Sequence, residues 1–130
     1  LATELSGEDV RFAKAGVYSL QKLEGVPNFI RNKYFRKVRP AYYKASDNVT
    51  DMITYGRLNL KKSWPLKGPF HVIMCRNVMI YFDQQTQREL VSRFYDILEP
   101  GGYLFIGHSE SVPHGNRGFL NMQPSVYQKR

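Results

Sequence analysis

Apolar and polar positions follow a helical rhythm over residues 6–16: Ser6 suits the cap, Glu8 and Asp9 the positive first turn, Val10 and Ala13 the inward face, and Gly16 the stop. Residues 1–5, just before it, read as the tail of a strand. A second helix is expected over residues 26–35, with Pro27 in the first turn and Phe29, Ile30 and Tyr34 on one face. Residues 39–58 carry the β-favouring Tyr42, Tyr43, Val49, Ile53 and Tyr55 and are broken at Ser46-Asp47-Asn48, which predicts an antiparallel pair.

The run Phe70-His71-Val72-Ile73-Met74-Cys75 follows a Gly68-Pro69 breaker and is almost wholly apolar, as expected of a strand covered on both faces. Asp83 then suits the cap of a helix reaching about Leu98. Leu90, Phe94, Ile97 and Leu98 recur on its inner face, and Gln84, Gln87, Arg88 and Arg93 are assigned to water. Pro100-Gly101-Gly102 ends it, and Tyr103-Leu104-Phe105-Ile106 is the next buried strand. Residues 70–107 thus predict a strand-helix-strand unit with a right-handed crossover and parallel strands. After a loop over residues 108–116, residues 119–122 and 125–127 read as a terminal strand pair parted by Gln123-Pro124. The fold class is α/β.

Composition narrows this picture. With 130 residues, 42% hydrophobic and 14% aromatic, the chain has material for one domain with a real core, which excludes intrinsic disorder. Nineteen Lys+Arg against eleven Asp+Glu give a net charge of +8 and point to an acidic partner. The single cysteine, Cys75, excludes an internal disulfide, and with three scattered histidines it supplies no metal-ligand cluster; a reducing, cytoplasmic setting is expected. The longest apolar run falls far short of the ~20 residues of a membrane span, and residues 1–5 show none of the basic-then-apolar pattern expected of a signal peptide. The abrupt start on Leu1-Ala2-Thr3-Glu4-Leu5 suggests a piece of something larger.

In an open parallel sheet ligands bind beyond the carboxyl ends of the strands, which singles out Glu4, Asn59 and Cys75-Arg76-Asn77. One carboxylate in such a place can accept from both hydroxyls of a ribose, although a solvated carboxylate beside a helix start explains Glu4 as well. Asn77, with donor and acceptor at the end of a buried strand, either ties the following loop or binds ligand. Arg76 either forks onto a ligand carboxylate or forms an ion pair beneath the loop. Tyr81 offers a hydroxyl and a ring wall, or is an ordinary half-buried aromatic. His108-Ser109-Glu110-Ser111 lacks the sharp Gly-x-Ser-x-Gly turn that nucleophilic serine chemistry needs. Cys75 reads as an inert core thiol, and His71 and His114 as structural or solvent-facing.

The stretch Cys75-Arg76-Asn77-Val78-Met79-Ile80-Tyr81-Phe82-Asp83, then Leu98-Glu99-Pro100-Gly101-Gly102 and Gly107-His108-Ser109-Glu110-Ser111, resembles the CheR-type chemotaxis receptor methyltransferases. Ala2-Thr3-Glu4-Leu5, Ala13-Lys14-Ala15-Gly16-Val17-Tyr18, Asn59-Leu60 and Trp64-Pro65-Leu66-Lys67-Gly68-Pro69-Phe70 fall in the family's order, so the likeness covers essentially the whole chain. It implies a Rossmann-like class I methyltransferase fold, mostly parallel, with a terminal antiparallel pair and a small antiparallel β-subdomain inserted at residues 36–57. Residues 1–130 would be the carboxyl-terminal part of the catalytic domain, incomplete at the amino terminus. The implied reaction is S-adenosylmethionine-dependent esterification of chemoreceptor glutamates, leaving S-adenosylhomocysteine and using no metal.

By that resemblance Glu4, where the family commonly has Asp, would hold the ribose hydroxyls, with Leu5, Asn59 and Leu60 at the adenine, Asn77 and Val78 at the amino-acid part, and Tyr81 near the transferred methyl. Arg76 belongs to the motif, as a ligand contact or as a brace. The family's amino-terminal helical domain and glycine-containing first loop do not match any part of this chain, so the chain alone is expected to be inactive and to bind cofactor poorly. No glycine lies between Gly25 and Gly56, unlike the turn of members that dock on a receptor's carboxyl-terminal peptide, which argues against such tethering. The expected partners are the cytoplasmic receptor helices. Two other readings compete: a non-catalytic interaction module, and a nucleic-acid surface over residues 31–44, where six cations interleave with Tyr34, Phe35, Tyr42 and Tyr43. Nucleic acid leaves the motifs of residues 70–111 unexplained.

Overall fold

A computed structural model describes residues 1–113 and 118–130. His114 and the end of the loop predicted over residues 108–116 lie outside the described residues. The chain divides into two compact units, residues 1–59 and 60–130.

In the first unit β1 (Ala2–Glu4) leads into α1 (Gly7–Ala15). The Ser6 hydroxyl caps this helix by accepting from the Asp9 amide at 3.2 Å, and Gly16 closes it at φ 64, where a side chain would be strained. Strands β2 (Val17–Ser19), β3 (Phe35–Arg39) and β4 (Tyr42–Ala45) form an antiparallel sheet in the order β2-β4-β3, with α2 (Asn28–Tyr34) between β2 and β3 in sequence.

The antiparallel pair predicted over residues 39–58 does not form. Residues 47–50 coil into one helical turn, α3 (Asp47–Thr50), because Thr50 donates its hydroxyl to the Asp47 carbonyl and backbone amides close on the Ser46 carbonyl. The chain emerges as β5 (Tyr55–Arg57), which pairs in parallel with β1, Glu4 level with Arg57. The antiparallel sheet therefore occupies residues 17–45 rather than the expected insertion at 36–57, and β5 belongs with β1. Its β3–β4 turn passes through Pro40 and Ala41, the latter at φ 59, so a left-handed turn position is filled here without glycine.

The second unit carries the strand-helix-strand motif: β6 (Phe70–Cys75), α4 (Gln84–Ile97) and β7 (Leu98–Ile106), followed by β8 (Phe119–Gln123) and β9 (Val126–Lys129). The sheet order is β6-β7-β9-β8, with β6 and β7 parallel and the last two strands an antiparallel pair. Asp83 caps α4 through the Thr86 amide at 2.9 Å. Leu90, Val91 and Phe94 pack from the helix onto Cys75, Leu104 and Ile106 from the sheet.

Two expectations change here. Strand β7 starts at Leu98, directly after the helix, and runs through Pro100-Gly101-Gly102. Strand β6 is covered on one face only: Ile73 and Cys75 point toward the α4 side, whereas Val72 and Met74 on the opposite face are 47% and 73% exposed. An unbroken apolar run hides which face is buried, because period-two contrast is absent.

Candidate functional site

The chain leaves β6 through Arg76 and Asn77, and Asn77 sits at φ 57, a left-handed conformation that asparagine tolerates better than most residues. That turn swings consecutive backbone N–H groups inward onto one side chain, Glu110. Its Oε1 accepts from Val78 at 2.9 Å, Met79 at 2.7 Å and Ile80 at 3.2 Å. Its Oε2 accepts from Asn77 at 2.9 Å and from Gly107, at the end of β7, at 2.6 Å. Partial burial alone would push the Glu110 carboxyl up; the amides of Gly107, Asn77, Ile80 and Met79 reverse this and hold it below the usual carboxylate range. On the other side of the loop, Gln87 Nε2 donates to the carbonyls of Met79 and Phe82, both at 2.9 Å. A Cβ on Gly107 would collide with Asn77 Oδ1, so the close approach requires glycine there.

Of the expected residues in this unit, Asn77 and Val78 lie in the tied loop. The backbone amide of Asn77, not the carboxamide on which the loop-tying reading rested, joins the loop to Glu110, and the carboxamide oxygen lies against Gly107. Tyr81 ends the 3-10 turn Met79–Tyr81 and is 79% exposed rather than half-buried. Arg76 is exposed and makes no ion pair among the described residues. The Leu60 carbonyl accepts from Arg93 Nη1 at 2.7 Å and from Trp64 Nε1 at 3.3 Å.

In the first unit, Glu4 ends β1 with its Oε1 accepting from the amides of Leu5 at 2.6 Å and Ser6 at 3.3 Å. The Leu5 carbonyl accepts from Arg57 Nε at 2.8 Å, and Asn59 follows two residues after β5. Parallel pairing of β1 and β5 thus brings Glu4, Leu5 and Asn59 to the carboxyl end of one strand pair.

Three residues escaped the sequence reading. Glu110 falls in a segment weighed against serine hydrolases and quoted as part of the family motif but given no role, yet an acidic residue four positions beyond a parallel strand, beside a loop of unpaired amides, is the available signal. Gln87 and Arg93 were assigned to water. Gln87 instead folds back onto the loop, and Arg93 stacks 3.7 Å over the Trp64 ring while donating to Leu60 and Lys62 carbonyls. Cys75 is buried; burial, and then the neighbouring Glu110 charge, pushes its thiol up to about 11, so it stays protonated at neutral pH. Among the described residues no three His, Cys, Asp or Glu side chains gather to hold a metal, and no helix is long and apolar enough to cross a membrane.

Each unit carries a parallel strand pair, β1 with β5 and β6 with β7, the pairing expected of a Rossmann-like domain. The chain matches the family described as "CheR methyltransferase, SAM binding domain" over residues 1–128, and it belongs to that family. It is 44% identical over 115 residues to a probable chemotaxis protein methyltransferase of Rhizobium etli, covering 86% of this chain and 43% of the relative. Chemotaxis protein methyltransferases of Borreliella burgdorferi and Escherichia coli are 32% and 35% identical over 130 residues, covering 99% and 97% of this chain and 46% of each relative. The chain thus spans less than half the length of these curated relatives.

Proposed function

We propose that this chain supplies part of the catalytic domain of an S-adenosylmethionine-dependent protein-glutamate O-methyltransferase acting on chemoreceptors. The observation that carries the reading is the tied loop 77–81 at the carboxyl end of β6, in a chain whose family match runs through it. The residues fit the cofactor. Glu4, an exposed carboxylate fixed at the end of β1, suits the ribose hydroxyls; Leu5, Asn59 and Leu60 suit the adenine, and Asn77 and Val78 the amino-acid part. When bound, S-adenosylmethionine supplies a methyl group activated on a sulfonium.

The protein's own task is placement. A substrate glutamate, with an ordinary pKa of about 4.3, is already anionic at neutral pH and needs no general base. The chain's groups agree with that: Glu110 has its oxygens committed to backbone amides, and the Cys75 thiol is protonated. Tyr81 presents its hydroxyl at the loop surface to orient the substrate carboxylate, and the exposed guanidinium of Arg76 attracts it. A shielded pocket favours a reaction in which a carboxylate and a sulfonium cancel their charges.

Residues 17–45 act as the inserted subdomain in this reading. Arg36, Lys37 and Arg39 stand exposed on β3, Arg39 lies 4.0 Å over the Tyr42 ring, and the only ion pair of the 31–44 segment among the described residues is Lys44 with Asp47 at 3.9 Å. This uncompensated charge suits the acidic surface of receptor helices.

The test is methyl transfer by the whole protein to a receptor cytoplasmic fragment, read as base-labile ester, with calorimetry of S-adenosylmethionine. Saturable binding and ester formation are expected from the whole protein, with reduced turnover in Tyr81→Phe and no saturable heat from the chain alone. A whole protein that binds cofactor but esterifies nothing is the non-catalytic module. Lys37→Glu with Arg39→Glu should slow receptor methylation at low salt; an unchanged rate removes the docking surface, and tight salt-dependent RNA binding would favour the nucleic-acid reading.

A further inference from the structure

The loop between β6 and α4 has its backbone committed to two side chains from elsewhere in the unit. Four consecutive amides, Asn77 to Ile80, and the amide of Gly107 converge on Glu110. The carbonyls of Met79 and Phe82 are taken by Gln87. A concavity of backbone N–H groups beyond a parallel strand is the kind of cradle that nucleotide-binding folds fill with a ligand phosphate. Here it is filled by the protein's own carboxylate, and the loop turns side chains, not amides, outward: Tyr81 is 79% and Ile80 48% exposed.

We propose that Glu110 is a resident anion that sets the shape of the cofactor loop and closes its amide cradle to phosphate-bearing ligands, with Gln87 fixing the opposite side. Both are positioning residues that act through Asn77, Val78 and Tyr81. The proposal deepens the cofactor reading given above and rests on it for its consequence. A ligand selected at such a loop carries no phosphate for that cradle, and the partly buried negative charge favours a cationic group nearby, as a sulfonium or ammonium provides.

Chemical rescue tests this. In Glu110→Ala the five amides lose their acceptor, and hydrogen exchange at residues 77–80 and 107 should quicken about tenfold or more, while amides inside β6 and β7 hold their rates. Formate, a carboxylate of the deleted size, should restore the protection saturably. In the whole protein the same substitution should weaken S-adenosylmethionine about tenfold or more, with formate recovering part of it. If Glu110→Ala prevents folding, Gln87→Leu carries the test and should also quicken exchange in the loop and weaken the cofactor. Unchanged loop exchange, exchange that quickens equally throughout the strands, or absence of formate rescue overturns the proposal. The exchange arm is read without cofactor, so a whole protein that bound no S-adenosylmethionine would defeat the cofactor reading and leave the role of Glu110 to be decided by exchange and rescue.

Discussion

Replacing Gly107 with alanine isolates the contact on which the loop geometry depends. Its own φ lies outside the left-handed range, so alanine is not excluded by backbone conformation, and any cost comes from space. An added Cβ would fall 2.8 Å from Glu110 Oε2 and 2.9 Å from the Asn77 amide, and closer still to Asn77 Oδ1. Two of those three atoms form the hydrogen bond that anchors the loop. Relieving the overlap costs about 1–3 kcal/mol as overpacking in a well-filled site. Weakening one bond to a charged acceptor adds about 1.5–3 kcal/mol. The stiffer unfolded chain of the alanine variant returns about 0.4–1 kcal/mol. The net expectation is a loss of about 1.5–5.5 kcal/mol, read as a lower urea midpoint at unchanged slope, since the surface exposed on unfolding stays the same. A Gly107→Ala protein within about 0.5 kcal/mol of the parent would refute the claim that the two loops touch this closely.

Two more outcomes follow from the same unit. Because Glu110 titrates below its ordinary range when folded, its contribution to stability is present above the unfolded value near 4.3 and is lost as pH falls through the lower folded value. The urea midpoint of the parent should therefore drop between about pH 5 and 3 more steeply than that of Glu110→Gln, and parallel curves would count against the amide cradle. Arg93→Lys keeps the charge but loses the planar stack on Trp64 and the forked donation to Leu60 and Lys62, so it should cost about 1–3 kcal/mol despite its conservative appearance; a neutral result in thermal unfolding would show the stack to be incidental.

What the sequence announced and what it concealed divide along the range of the interactions. Helix α1 was legible from end to end because Ser6 and Gly16 act within one turn of the segment they delimit. The β6-α4-β7 unit was legible because Asp83 and the recurrence of Leu90, Phe94 and Ile97 are local signals. Strand β5 was misassigned because three residues carry almost no preference, and their partner is β1, more than fifty positions earlier. The candidate residues Asn77, Val78 and Tyr81 came from a motif, but the groups that hold them did not. Glu110 and Gln87 look like surface residues by type, and only folding reveals that their partners are backbone atoms, about thirty positions away for Glu110 and on the preceding turn for Gln87. Polar side chains that serve the main chain leave no periodic trace.

The Glu110 knot also ties the loop to the pairing of the sheet. Its carboxylate follows β7 and most of its donors follow β6, and these two strands pair with Cys75 opposite Ile106. A slip of one residue along either strand would move the acceptor about 3.3 Å from the amides, beyond hydrogen-bond reach, and turn the core side chains outward. The tied loop can therefore form only on a correctly aligned sheet, so the architecture carries its own proofreading: a misregistered chain leaves the loop untied.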